Sequence, residues 1–440
     1  MLVQRLVVAS AIAVMSTRMV SAQSGRSYGP GQIWWEAGQG GALPWEETYD
    51  NPDGQVSILN RSGAVRTDHH PFFESLGVNG RACVTCHQPS NAMSVSAASL
   101  RQRWKETEGR DPVFAAVDGS NCPDLPQGTE SSHSLLLERG LFRIFLPWPP
   151  RGVRPEFRIE VVRDPAGCNA GHNSGGAISV YRRPRIAANL DSIVAGPRGP
   201  SFMADGREPS LTSQAISAIL VHEQAGTHPT QEQLRKIIEF ETQVYAGQSA
   251  DIRGGLLNEK DGPAALGPQN LAGGAAGNLG AALSFDVWRK AKGAADLGLQ
   301  REFRASVARG SDLFSTRCAS CHAAGTTRWM DIGTANSAAA AGSADLPLFR
   351  ITCDPAVAPH PALGRRFYTQ DPGRALISGK CADVGAIVLQ QLRGLAARAP
   401  YFSNGSARTL REVVEFYDRR FGIGYSEQEK QDLVNFLRVL

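Results

Sequence analysis

The sequence predicts a mainly α-helical chain of two domains with long ordered loops, each domain built around one Cys-X-X-Cys-His pentapeptide. Three observations carry this expectation. Cys83-Val84-Thr85-Cys86-His87 and Cys318-Ala319-Ser320-Cys321-His322 stand one in each half of the chain. Helix-opening capping patterns, followed by apolar residues at helical spacing, recur late in each half. Stretches of strict apolar–polar alternation, the mark of half-buried strands, are few.

Residues 1–22 read as a secretory signal peptide. Arg5 gives the positive start, Leu6 to Met15 the apolar stretch, and Val20-Ser21-Ala22 the small residues of a cleavage site. That stretch, cut off by Arg18, is too short to span a bilayer, and no later segment is long enough. A soluble periplasmic protein with no membrane span is expected. Residues 23–65, rich in Gly, Trp and Pro, predict an extended N-terminal arm. Residues 66–250 form the first motif-bearing domain. It carries a helical pattern from Ser210 to Gln224 and another opened by Thr230 and Gln233, running through Ile237, Ile238, Phe240 and Val244. Residues 251–299, dominated by Gly, Ala and Asn with Pro263 and Pro268, predict a linker. Residues 300–440 form the second domain. Arg301 to Cys321 has helical spacing leading into the motif, and the capping pairs Thr409/Glu412 and Ser426/Glu429 open two further helices.

With 440 residues, 42% of them hydrophobic, the chain can bury two cores. A net charge of +4 without a Lys/Arg run gives no support to a nucleic-acid partner. Four of the eight cysteines belong to the pentapeptides; Cys122, Cys168, Cys353 and Cys381 fall two in each half. In an oxidising compartment the simplest reading is Cys122–Cys168 and Cys353–Cys381 disulfides, with buried free thiols as the alternative.

The pentapeptide has a specific chemistry. Both thiols on one short helix reach the vinyl groups of a haem, and the following imidazole turns onto its iron. From 8 Cys and 9 His in 440 residues, about 0.003 such pentapeptides are expected by chance. A zinc site would need two cysteine pairs converging on one ion, whereas each pair here has its own His and the spare cysteines form no CxxC. The expected architecture is therefore two c-type cytochrome domains, each with one covalently bound haem c, held by Cys83 and Cys86 or by Cys318 and Cys321. His87 and His322 are the proximal iron ligands. An iron closed by a second side chain stores and passes an electron, and an open one binds peroxide or dioxygen. Candidates for the other face include His69, His70, His133, His172, His222, His228 and His360, each more often a surface or core residue.

The surrounding residues resemble the bacterial di-haem cytochrome c peroxidase/MauG family. The likeness rests on Gly310, Leu313 and Phe314 before the second motif, and on Asp371-Pro372-Gly373-Arg374 to Gly379 with Leu392-Arg393. It also rests on Ala399-Pro400-Tyr401-Phe402-Ser403-Asn404-Gly405-Ser406 with Thr409 to Val414, and on Asp205-Gly206-Arg207-Glu208-Pro209-Ser210 to Ala215. The resemblance implies an N-terminal haem that reacts with hydrogen peroxide, fed by an electron-storing C-terminal haem. A small periplasmic cytochrome c or cupredoxin would be the donor. It makes Tyr417 the sixth ligand of the second iron, since no Met follows Met330; a packed aromatic is the alternative. It puts Gln214 in the distal pocket of the first haem. Gln224 takes the place of the family's catalytic Glu, with Glu223 beside it as substitute, and His222 shares the face of Gln214; a solvated helix end is the other reading for His222 and Glu223. Asn189 matches a residue that helps hold calcium, although Gln390 replaces the usual Pro nearby.

Ala204 stands where relatives carry an inter-haem Trp, and neither Met203 nor Phe202 restores an indole; Trp104, Trp288 and Trp329 are alternative bridges. The extra sequence is reminiscent of di-haem rubber oxygenases. Two further readings thus stand beside the peroxidase: a MauG-like or oxygenase-like enzyme using dioxygen or peroxide on an organic or protein substrate, and a non-catalytic electron carrier.

Overall fold

The computed structural model describes residues 27–28, 32–170, 176–194, 201–274, 284–290, 298–322, 329–331, 334–335 and 342–440. The expected signal peptide lies outside them. Helices account for 35% of the described residues and strands for 19%, so the fold is mixed α/β and the mainly α expectation is overturned.

The strands come from short runs whose partners are remote in sequence. β1 (Glu46–Asn51) and β2 (Gly54–Asn60) form a hairpin. Its turn is closed by Asn51 Oδ1, which accepts from Asp53 N at 3.0 Å. Gly54, at φ 145°, makes the turn possible, because a Cβ there would lie 2.2 Å from Ala250 O. A four-residue helix, α1 (Cys83–Cys86), carries the first pentapeptide. Further along come α2 (Ala97–Thr107), β3 (Phe142–Pro147), β4 (Phe157–Arg163) and β5 (Ala177–Arg182), the last pairing with β3.

The helical pattern expected after Ser210 is α3 (Leu211–Val221), capped by Ser210 Oγ accepting from Ser213 N. The next is α4 (Gln231–Gln243), capped by Thr230. Val244 keeps the helical spacing of apolar residues but ends α4 in extended backbone and starts β6 (Val244–Asp251). Pairing with β2 prevails there, because Val244, Tyr245 and Ala246 become wholly buried against that strand. The first core gathers Val56, Ile58, Phe72, Val84, Ile219 and Phe240.

In the second half, α5 (Gly298–Arg317) runs almost directly into α6 (Ala319–His322), which bears the second pentapeptide. β7 (Leu348–Cys353) and β8 (Arg366–Thr369) pair with each other, and β7 also pairs with β4 from the first half. This sheet has its own core, with Phe157, Ile159, Phe349, Ile351 and Phe367. The chain closes with α7 (Leu410–Phe421) and α8 (Glu427–Arg438), opened by Thr409 and Ser426 as their capping patterns predict. α8 packs on α5 through Val307, Phe314, Leu433 and Phe436. Disulfides join Cys122 to Cys168 and Cys353 to Cys381, with Cα separations of 5.5 and 5.8 Å.

One local unit occurs in both halves. Phe202 bridges Glu208 just before α3, and Tyr401 bridges Ala407 just before α7. Met203 and Gly206 in the first unit, and Phe402 and Gly405 in the second, occupy matching left-handed positions, with φ of 63°, 64°, 66° and 63°. Ser210 and Thr409 are the corresponding N-caps. Counted from those caps, Ala218 and Tyr417 hold the same place on their helices.

Candidate functional site

The two pentapeptides open onto neighbouring cavities. The first, of about 270 Å³, is lined by Cys86, His87, Gln214, Ala218 and His222, and at its far side by Cys321 and His322. The second, about 160 Å³ and largely apolar, is lined by Cys318, Cys321, His322 and Tyr417. Cys321 and His322 thus belong to both walls. The four pentapeptide cysteines are unbridged.

Each motif histidine has a neutral, usable imidazole. The His87 Nδ1 lies 3.1 Å from Met93 O; donating there directs Nε2 to the cavity. Burial holds His87 below its ordinary range and pulls His322 down to about 4. Tyr417 stands perpendicular to the His322 ring at 6.4 Å between centroids and stacks on Phe421 at 6.1 Å. Burial pushes its hydroxyl up to about 12.

The charge around the cavities tests whether a haem suits them. Arg182 is paired with Asp205 and Asp371. Arg183, Arg185, Arg393 and Arg398 also border the cavities, yet among the described residues they bond to carbonyl oxygens and have no carboxylate partner. The Arg393 Nη2 is buried with no partner at all. Burial pulls Arg183 down to about 9 and the other three to about 10. Four buried cations without anions, beside two unbridged thiol pairs and two neutral imidazoles, fit haem with its two carboxylates.

The residue matched to a calcium ligand, Asn189, is engaged with backbone. Asn189 turns both ends of its amide to β6: Oδ1 accepts from Ala246 N at 3.2 Å and Nδ2 donates to Ala246 O at 3.0 Å. No group of three His, Cys, Asp or Glu able to hold a metal ion occurs among the described residues.

Gln214 and His222 line the first cavity, while Glu223 faces elsewhere. Its Oε2 accepts from Leu76 N at 2.9 Å and its Oε1 lies 3.8 Å from Cys83 Sγ. Burial pushes this carboxyl up to about 7. Gln224 is also turned away, accepting from Asn79. His133 is buried with both ring nitrogens near backbone carbonyls, and His360 accepts from two backbone amides of its own turn. Trp104 packs on Phe114 and His133, and Trp288 on Phe285, away from both cavities. Trp329 and His172 lie outside the residues whose side chains are described.

Three residues were missed by sequence reasoning, and two of them, Asp118 and Glu241, line the first cavity. Buried Asp118 lies on its wall, with one carboxylate oxygen on His222 Nδ1 and the other on Arg81. Buried Arg81 precedes the first motif and also donates to Pro112 O and Val113 O, each at 2.7 Å. Glu241 on α4 is another lining residue, a buried carboxyl pushed up to about 8 whose Oε2 has no partner.

These features define a haem-binding, cytochrome-like class. No family model matches the chain. It is similar to cytochrome-c peroxidase IdrP1 of Pseudomonas sp. (strain SCT), at 32% identity over 161 residues, 31% of this chain and 40% of that protein. It is 39% identical over 77 residues to cytochrome-c peroxidase IdrP2 of Denitromonas iodatirespirans, and 43% over 77 residues to IdrP2 of Pseudomonas sp. (strain SCT). Each of the latter matches covers 16% of this chain and 21% of the relative. The chain thus spans less than half the length of these relatives, and along the matched stretches it has a cytochrome-c-peroxidase-like relationship.

Proposed function

We propose that the chain is a periplasmic di-haem c-type peroxidase that reduces hydrogen peroxide with electrons from a small cytochrome c or cupredoxin. Cys83 and Cys86 would hold one haem and Cys318 and Cys321 the other, with His87 and His322 as axial ligands; in each case the haem supplies the redox-active iron. The carrying observation is the repeated unit: Tyr417 stands over His322 where its counterpart Ala218 offers only a methyl group. The first site therefore has room for a small reactant, and the second has a side chain to close it.

In this reading Gln214 orients peroxide, and His222 handles its protons. Arg183, Arg185, Arg393 and Arg398 neutralise the haem carboxylates, and the shared wall of Cys321 and His322 keeps the two centres close without an indole at Ala204. Hydrogen peroxide, two protons and two electrons give two waters, the electrons arriving singly from two donor molecules. Stopped-flow mixing of the protein with peroxide and reduced donor cytochrome tests this. Donor oxidation that saturates with peroxide is expected; absence of turnover with both donor classes refutes it.

Ala204 and Tyr417 favour a second reading, a MauG-like or rubber-oxygenase-like enzyme acting on an organic or protein substrate. A stable dioxygen adduct in the reduced protein would favour that reading. A cyanide-insensitive spectrum without a high-spin component would leave a non-catalytic electron carrier.

A further inference from the structure

We infer that Asp118 is the positioning residue of the first site, fixing His222 as the group that moves the peroxide proton; this rests on the peroxidase reading. His222 ends α3, where its Nδ1 faces Asp118 and its Nε2 has no protein partner among the described residues. The ring borders the same cavity as His87 and Gln214. Asp118 is itself immobilised. Its second oxygen is bound by Arg81, its backbone oxygen accepts from Arg143 N at 2.8 Å, and Arg81 is tied to Pro112 and Val113. Arg81 and His222 hold the Asp118 carboxyl below its ordinary range against the effect of burial.

A carboxylate fixed on Nδ1 dictates the tautomer. Nδ1 carries the hydrogen and Nε2 presents a lone pair to the cavity. The residues at the family's carboxylate position cannot do this work, since Gln224 is an amide and Glu223 is bound to Leu76 N. Nε2 takes the proton from one peroxide oxygen and returns it to the other, which departs as water as the O–O bond breaks. The haem that Cys83, Cys86 and His87 would hold would supply the redox chemistry at the remaining oxygen, which with two electrons from the donor cytochrome and two protons from solvent makes the second water. Arg81 keeps Asp118 charged throughout, so the proton goes to oxygen and stays off the carboxylate.

The test uses the haem-loaded protein with His222→Ala, Asp118→Asn and Asp118→Glu. Two rates are read: peroxide reaction in single turnover, and association of cyanide, which must shed a proton as it binds. His222→Ala should slow both about 100-fold or more, with recovery by added imidazole. Asp118→Asn should slow both roughly 10- to 100-fold, and Asp118→Glu should recover part of the loss. Nitrogen-15 chemical shifts of His222 in the unaltered ferrous–carbonyl protein, assigned against His222→Ala, report the tautomer even if an Asp118 variant does not fold. Hydrogen on Nδ1 supports the inference, and hydrogen on Nε2 overturns it. Unchanged rates in Asp118→Asn overturn it too, as does a low-spin bis-imidazole spectrum of the first haem that His222→Ala abolishes. A protein inert to peroxide whose cyanide rate still falls in Asp118→Asn would sink the peroxidase reading and leave the dyad standing.

Discussion

Replacing Gly310 by alanine isolates the contact that supports the second pentapeptide. Gly310 lies in the middle of α5, where α8 crosses so closely that a Cβ would sit 2.1 Å from Asp432 O, 2.6 Å from Asp432 C and 2.8 Å from Phe436 Cβ. Two of these atoms are backbone, so no rotamer change relieves them. Ordinary contact begins near 3.4 Å, so the helices would have to part by about an ångström. That movement strains Asp432, whose carboxylate accepts from Ser306 at 2.5 Å, Arg309 at 2.7 Å and Gln428 at 2.9 Å. It also loosens Phe314 against Phe436. In an open helix the substitution would stabilise by about 1 kcal/mol through propensity alone. Overpacking costs about 1–3 kcal/mol, giving a net loss of roughly 1–2 kcal/mol at the upper end of that range. Guanidinium unfolding of the haem-loaded protein, followed by far-UV circular dichroism, reads the difference. Because the effect of propensity and the effect of contact have opposite signs, a Gly310→Ala protein more stable than the parent by about 1 kcal/mol would refute the close crossing.

Tyr417→Phe should leave the fold intact and convert the second haem from six- to five-coordinate, seen as a new high-spin band; an unchanged spectrum would make Tyr417 a packing residue. Glu241 has a folded value of about 8 against 4.5 ordinarily, so the unfolded chain releases a proton that the folded one retains. It therefore costs nothing below pH 4.5 and progressively more up to about pH 8. Glu241→Gln should gain stability over the parent across that window, on the order of a few kcal/mol, whereas a pH-independent difference would contradict the buried carboxyl. Converting both Cys122 and Cys168 to serine frees a loop of 46 residues and should cost about 4 kcal/mol in denaturant unfolding. A loss below about 1 kcal/mol would show that the loop is held by other contacts.

The helices were legible because their signals are local. Thr230, Thr409 and Ser426 each accept the backbone bond that their sequence pattern anticipates. The sheets were not, because their deciding interactions are remote. Phe157, Ile159 and Val161 alternate for only one short run, and the strand that buries them begins at Leu348. The same division runs through the site. The pentapeptides are self-contained; Gln214 was implied by the family resemblance, and His222 followed from sharing its helical face. Asp118 sits in irregular chain, and nothing within its own neighbourhood distinguishes it from a surface acid. Its partners Arg81 and His222 come from other segments, and only their convergence gives it a role. Glu223 erred in the opposite way. It is beside the expected position, but the backbone turn after α3 presents its carboxylate to Leu76.

The pairing of β4 with β7 bears on how the chain is made. β4 leaves the ribosome, and crosses any membrane, long before its partner exists, so its ladder groups wait for nearly half the chain. During that interval the first pentapeptide is complete and the cavity beside it lacks the wall supplied by Cys321 and His322. If a haem joins Cys83 and Cys86 as proposed, its attachment would precede closure of the fold, and the late arrival of β7 would seal a group already in place. Cutting the gene between the halves would leave each fragment with an unpaired edge, and the first fragment would be the aggregation-prone one.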